Sequence, residues 1–235
     1  MTLERLLQSQ GFGSRRECRG LVLAGRVCVA GVPCDDPGAE FDPEGLRFTV
    51  DGEEWGWHRQ VYLALHKPAG YEVSNRPQHH PSVFSLLPVP LRERGVQAVG
   101  RLDEDTTGLL LLSDDGQFIH TYSSPKKKVP KVYEVTTRHP VETAQVAALL
   151  AGVQLHDEPA PIAAAACERV AEHHLRLTVT EGKYHLVKRM VAAAGNRVEA
   201  LHRSRIGGLA LPPGLAPGLW RWLDAADLAR LAEPS

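Results

Sequence analysis

GRLDEDTTGLLLLSDDG, residues 100–116, decides the fold. Its first half is polar, with Arg101, Asp103, Glu104 and Asp105 crowded into a few positions between Gly100 and Gly108. Its second half is four leucines closed by Ser113 and two aspartates. A short apolar run bounded by turn residues reads as a strand, so one is expected at 109–112. The polar half is then a loop held between that strand and residues 96–99. Loops held by rigid strands often carry chemistry, and an arginine beside a carboxylate keeps it ionised and aimed. Taken alone, an aspartate in such a place is most simply turn chemistry.

Outward from this stretch, further strands are expected at 61–65, 132–135, 175–180, 198–202 and 219–223. Helices are expected at 141–150, 184–194 and 224–231. Strands outnumber helices and come in sequential runs. That pattern favours an α+β fold with a mainly antiparallel mixed sheet over a doubly wound parallel one.

The first 34 residues have a different character. Leu3, Leu6 and Leu7 have helical spacing, with a stop near Gly11. Ser14 and Glu17 form a capping box ahead of Cys18, Leu21 and Val22, and Gly25 ends that helix. Ala30-Gly31 sits between two β-prone triplets as a tight hairpin turn. The result is a small helix-helix-hairpin domain. Residues 51–60 (DGEEWGWHRQ) read as its end and a linker. We therefore expect a small domain over 1–57 and a larger one over 58–235.

Charge is distributed unevenly. The net formal charge is −1, yet residues 1–34 carry +3, residues 35–58 carry −7 and residues 183–205 carry +5. Lys126, Lys127, Lys128 and Lys131 add a further basic run. Basic islands on an acidic background suit a polyanion partner on one face. Arg15, Arg16 and Arg19 gather at the start of the second helix, where free backbone N–H groups favour phosphate. A membrane is not expected as partner, because no apolar run approaches the roughly 18 residues needed. The opening MTLERLLQSQ lacks a signal-peptide pattern, and Cys18, Cys28, Cys34 and Cys167 lack zinc or redox spacing. A cytoplasmic protein with reduced thiols is expected.

Nucleotide-binding glycine motifs, HExxH and nucleophile-elbow patterns are absent, so no cofactor and no metal are expected. The remaining candidates are Lys131-Val132-Tyr133 and the run EGKYHLVKRM (residues 181–190), which reads as a turn opening a cationic helix. Each has an ordinary explanation when taken singly.

Together these segments resemble the RsuA-type ribosomal RNA pseudouridine synthases. The likeness runs through His66-Lys67-Pro68 with Gly70, the loop around Asp103, Ser124-Pro125, and Lys131-x-Tyr133. It continues through GVQLHDE (152–158), EGKYHLVKRM and LHRSRIGGLAL (201–211). The N-terminal 50 residues are similar to an S4 RNA-binding domain, which such enzymes commonly carry. GVQLHDE further resembles the small-subunit (16S) branch. Two departures stand out: Leu186 where the family usually has Gln, and Thr2-Leu3-Glu4-Arg5 where the S4 start usually reads R-L-D-K.

The resemblance implies isomerisation of uridine to pseudouridine in ribosomal RNA, a reaction needing no cofactor. Uracil leaves C1′ through N1, turns, and is rejoined through C5. By similarity Asp103 is the essential carboxylate, acting as nucleophile at C1′ or as base on the sugar. Tyr133 would stack on the uracil and Lys188 would pair with Asp103. Arg101 would hold the loop or touch the flipped nucleotide. Candidate RNA contacts are Arg5, Arg15, Arg16, Arg19, Arg26, Lys67, Arg101, Lys131, Lys183, Arg189 and Arg203. The expected partner is ribosomal RNA, within an assembling small subunit, and the expected state is a monomer. The alternatives are a large-subunit (23S) target, and a non-catalytic S4-type RNA-binding or assembly factor.

Overall fold

The computed structural model describes residues 1–233 and is α+β. Two compact units are present: Met1–Val61 with Leu87–Gln97, and Tyr62–Leu86 with the chain from Ala98 onward.

In the first unit, α1 (Leu3–Ser9) and α2 (Arg15–Leu23) precede four short strands: β1 (Val27–Val29), β2 (Val32–Pro33), β3 (Arg47–Val50) and β4 (Glu53–Gly56). The capping box is complete. Ser14 Oγ accepts from the Glu17 amide, and the Glu17 carboxylate accepts from the Ser14 amide at 2.7 Å. Strand order is β2-β1-β3-β4, all antiparallel. Ala30 and Gly31 both have positive φ, as a two-residue hairpin turn matched to strand twist requires. Asp51-Gly52 does the same between β3 and β4. Part of the expected linker is therefore a strand. Leu3, Leu6, Leu7, Cys18, Val22, Val27 and Phe48 close the core.

Residues Leu87–Gln97, which the sequence reading assigns to the larger domain, pack in this unit. They form α3 (Val89–Glu93) behind Pro88. Arg94 Nη1 donates to Gln10 Oε1 at 2.8 Å and to the His58 carbonyl at 2.9 Å. Gly11 is required here: at φ +86° a Cβ would lie 2.0 Å from the Pro90 oxygen.

The second unit begins with β5 (Tyr62–Lys67). After β6 (Gln97–Ala98) come β7 (Thr107–Ser113), α4 (Gly116–Ser123), β8 (Lys131–Thr137) and α5 (Thr143–Ala151). Then follow β9 (Ala166–Ala171), β10 (His174–Val179), α6 (Leu186–Ala193), β11 (Val198–Ile206), β12 (Leu209–Ala210), β13 (Trp220–Trp222) and α7 (Ala225–Ala232). The main sheet runs β13-β5-β7-β11-β8-β10-β9. Its pairs are antiparallel except β7–β11, which is parallel. Leu109, Leu110, Leu111 and Leu112 are fully buried, as a central strand covered on both faces demands. One face packs Leu109 and Leu111 against Phe118, Ile206 and Leu231. On another, α5 and α6 cover Val135, Leu175 and Leu177. The parallel register sets Gly108 opposite Arg203, where a Cβ would lie 2.3 Å from the Arg203 oxygen. Only glycine lets the loop after Asp103 enter the sheet there. Among the described residues no helix is long and apolar enough to cross a membrane.

Candidate active site

The loop carrying Asp103 is braced by Lys67 at the end of β5. Lys67 is fully buried, and its ammonium donates to the carbonyls of Thr106 (2.8 Å), Glu104 (3.0 Å) and Pro68 (3.0 Å). Three donors meet three acceptors, which is all an ammonium offers. Burial pushes this lysine down to about 8, against the pull of Asp105, Glu104 and Asp103. Two backbone bonds complete the brace, Gly70 N–H to the Glu104 carbonyl and Thr106 N–H to the Asp103 carbonyl. The expectation of Lys67 as an RNA contact is corrected: a buried ammonium with every donor used cannot reach a phosphate.

Asp103 faces a cleft of about 610 Å³. Lys188, early in α6, places Nζ 3.1 Å from Asp103 Oδ2. The same ammonium lies 2.7 and 2.9 Å from the two oxygens of Asp105. Burial pulls Lys188 down, but its bonds to Asp105 and Asp103 outweigh burial and leave it raised. Burial likewise pushes Asp105 up, and Lys188 more than offsets this, so Asp105 ends lowered. Asp103 has another neighbour, His185, whose Nε2 lies 3.3 Å from Oδ1. The expected helix over 184–194 starts later because His185 is left-handed, at φ +49° and ψ 29°.

Beneath the cleft, Tyr133 on β8 is only 9% exposed. Its hydroxyl accepts from Arg203 Nη1 at 3.4 Å. Arg203 on β11 is 2% exposed, and its Nε donates to the Leu109 carbonyl at 2.8 Å. Its second arm, Nη2, is buried without a hydrogen-bond partner among the described residues. A bare guanidinium arm is costly inside a protein. Arg203 is among the residues lining the cleft. Lys131 also lines the cleft, buried, with Nζ on the Val129 carbonyl at 2.9 Å. Burial and the neighbouring Arg203 push it down to about 8.

The other expected contacts fall in three places. Arg101 is exposed at the cleft rim. Lys183 is held by Glu158 and Glu181, and Arg189 turns away to Asp157 at 3.3 Å. In the first unit Arg15 and Arg19 converge on the buried Glu4, at 2.5 and 3.6 Å, while their own side chains stay 57% and 61% exposed. Arg26 forms a bidentate pair with Asp51. Arg5 and Arg16 are exposed. Sequence reasoning missed Asp105 and His185. Both lay inside quoted motifs, Asp105 two positions after Asp103 and His185 just before the cationic helix.

A carboxylate held by a lysine on a cleft lined by a buried tyrosine has the makings of an enzyme site, and the chain carries a separate unit with exposed arginines. Residues 61–193 match the RNA pseudouridylate synthase family and residues 1–45 match the S4 domain. The chain belongs to the RNA pseudouridylate synthase family. It is 44% identical over 231 residues to the ribosomal small subunit pseudouridine synthase A of Escherichia coli K12, covering 97% of this chain and 99% of that protein. An uncharacterized RNA pseudouridine synthase of Bacillus subtilis is 39% identical over 239 residues, covering 100% of this chain and 99% of that protein. A crystal structure of a pseudouridylate synthase superposes with a TM-score of 0.70 at 33% identity, covering 99% of this chain and all of that one.

Proposed function

We propose that this enzyme isomerises one uridine of small-subunit (16S) ribosomal RNA, with residues 58–235 doing the chemistry and residues 1–57 gripping the RNA. The observation that carries the reading is Asp103 ion-paired at 3.1 Å to Lys188 on the cleft that Tyr133 lines. Relatives named for the ribosomal small subunit, matching over nearly the whole chain, support the target.

C1′ and C5 are unreachable within a stacked helix, so the nucleotide must flip into the cleft. There the Tyr133 ring supplies a stacking face, and Arg203 fixes its hydroxyl. Asp103 attacks C1′ or takes a proton from the sugar; on both routes the reacting group is its carboxylate, which Lys188 holds at 3.1 Å. The N1–C1′ bond breaks and the base turns; C5 then bonds to C1′ as the Asp103–C1′ bond breaks or, on the other route, as Asp103 returns the proton to the sugar. The C5 proton then leaves, and N1 gains a proton. Tyr133 is placed to help take the C5 proton.

We further propose a cytoplasmic monomer acting on an assembling small subunit. Its exposed large apolar side chains, such as Leu23, Val89, Leu150 and Leu219, come from separate elements. Mapping pseudouridines in ribosomal RNA from cells lacking the protein tests the target. Loss of one small-subunit site, restored by the wild-type gene and not by Asp103→Asn, is expected. Loss of a large-subunit site, or of none, overturns the reading.

A further inference from the structure

The Tyr184 ring stacks on the His185 imidazole, centroids 3.7 Å apart and planes 21° apart. Tyr184 is nevertheless 70% exposed. One face of the phenol is therefore covered by the imidazole and the other is open to water. His185 is in turn 3.3 Å from Asp103, and both rings line the same cleft. The left-handed backbone at His185, a conformation that histidine adopts more often than most non-glycine residues, sets the imidazole between the carboxylate and the phenol.

A tyrosine this exposed gains little from folding, since its ring stays in water. Cation pairing does not explain the rim either, because Lys183 beside it is held by Glu158 and Glu181. An open aromatic face is what an unstacked base needs. Flipping the target uridine strips its neighbours of a stacking partner, and a ring at the cleft mouth can replace it.

We propose that Tyr184, backed by His185, stacks on the base of a nucleotide adjacent to the target uridine. This rests on the reading of the cleft as the uridine site. The platform takes any base, since every base has a π-face, and it selects for unpaired RNA next to the target. Tyr184 is a positioning residue: it holds the flank and leaves the reacting atoms to Asp103.

The test uses a short RNA containing the mapped uridine, with 2-aminopurine at its 5′ or 3′ neighbour, bound to the inactive Asp103→Asn enzyme. Quenching of the probe at one flank is expected. Adding Tyr184→Ala should abolish the quenching, and Tyr184→Trp should restore it. In the otherwise wild-type enzyme, Tyr184→Ala should lower kcat/KM about five- to a hundredfold, mainly through KM. The salt slope of binding should not move, because no charge is lost. The exposure of Tyr184 makes these variants safe for folding, and an unchanged Tm verifies it. Unquenched probes at both flanks, or quenching and KM that survive Tyr184→Ala, overturn the platform. Wild-type turnover of the same RNA is measured alongside. Turnover with unquenched probes sinks the platform and leaves the function standing; absent turnover of both this RNA and small-subunit particles from cells lacking the protein sinks the target assignment and the platform with it.

Discussion

Lys188 serves two carboxylates at once, Asp103 at 3.1 Å and both oxygens of Asp105 at 2.7 and 2.9 Å. The loop thus presents two acids of unequal standing around one cation. The Asp103 side chain is 21% exposed and that of Asp105 is 60% exposed. The more buried acid is the one on the cleft.

Asp103→Asn keeps the shape of the loop and removes only the ionisable group. Turnover should fall at least about a hundredfold while RNA affinity stays within a few fold, as for loss of an essential nucleophile or base. Residual turnover above about 1% of wild type would remove Asp103 from the catalytic role.

Asp105→Asn separates the two acids. An exposed ion pair is worth about 0–1 kcal/mol, so this change should slow turnover less than about fivefold. Lys188 would remain on Asp103. A loss matching that of Asp103→Asn would show that the chemistry resides with Asp105.

Lys188→Met leaves both acids without the ammonium. In the native protein Asp105 is held below its ordinary value, because Lys188 outweighs burial. The stability contributed by that pairing is complete above about pH 4 and is lost as pH falls through the lowered value. Without Lys188 burial acts alone, and Asp105 protonates at higher pH. The loop then loses charge earlier on acidification, so the deficit in rate and stability should grow toward low pH. A pH–rate profile parallel to wild type would show that the ammonium and the loop are not coupled.

Lys67→Met tests the brace. It leaves the carbonyls of Pro68, Glu104 and Thr106 without their donor. Bare buried acceptors cost about 1–3 kcal/mol each before relaxation, so Tm should drop by about 5–10 °C. The salt slope of RNA binding should not change, because no phosphate contact is lost. A flatter slope at unchanged Tm would return Lys67 to the RNA surface.

Which features could be read from the chain follows from how local their causes are. Leu109 to Leu112 declare a strand because burial on both faces leaves a continuous apolar run. Ser14 with Glu17, and Ala30 with Gly31, are local chemistry and appear as read. The placement of Leu87–Gln97 was not legible: α3 has five residues, and its anchor is Arg94 on Gln10, far back in the chain. The edge strand β9 is almost wholly exposed and so shows no alternation. In the site, Asp103 and Tyr133 line one cleft, and Lys188 pairs with Asp103. Lys67 and Arg203 read as RNA contacts in the sequence, because nothing local to either shows that it is buried. Their burial depends on pairing partners distant in sequence, Glu104 and Thr106 for one and Gly108 for the other.

The N-terminal arginines carry the last expectation. Glu4 occupies the S4 position usually held by Asp, and in the structure it is the buried anchor on which Arg15 and Arg19 converge. Both guanidinium groups remain more than half exposed, and Arg16 lies beside them, so a preset cationic patch faces water at the start of α2. Contacts from such a patch to phosphate are sequence-blind, and each adds slightly less than one unit to the salt slope. Replacing Arg15, Arg16 and Arg19 with Gln should flatten that slope by about two to three units and raise KM. Glu4→Gln should weaken binding less, since it loosens the patch without removing any of its positive charge. An unchanged slope in the triple variant would move the grip to residues 126–131 and 183–205.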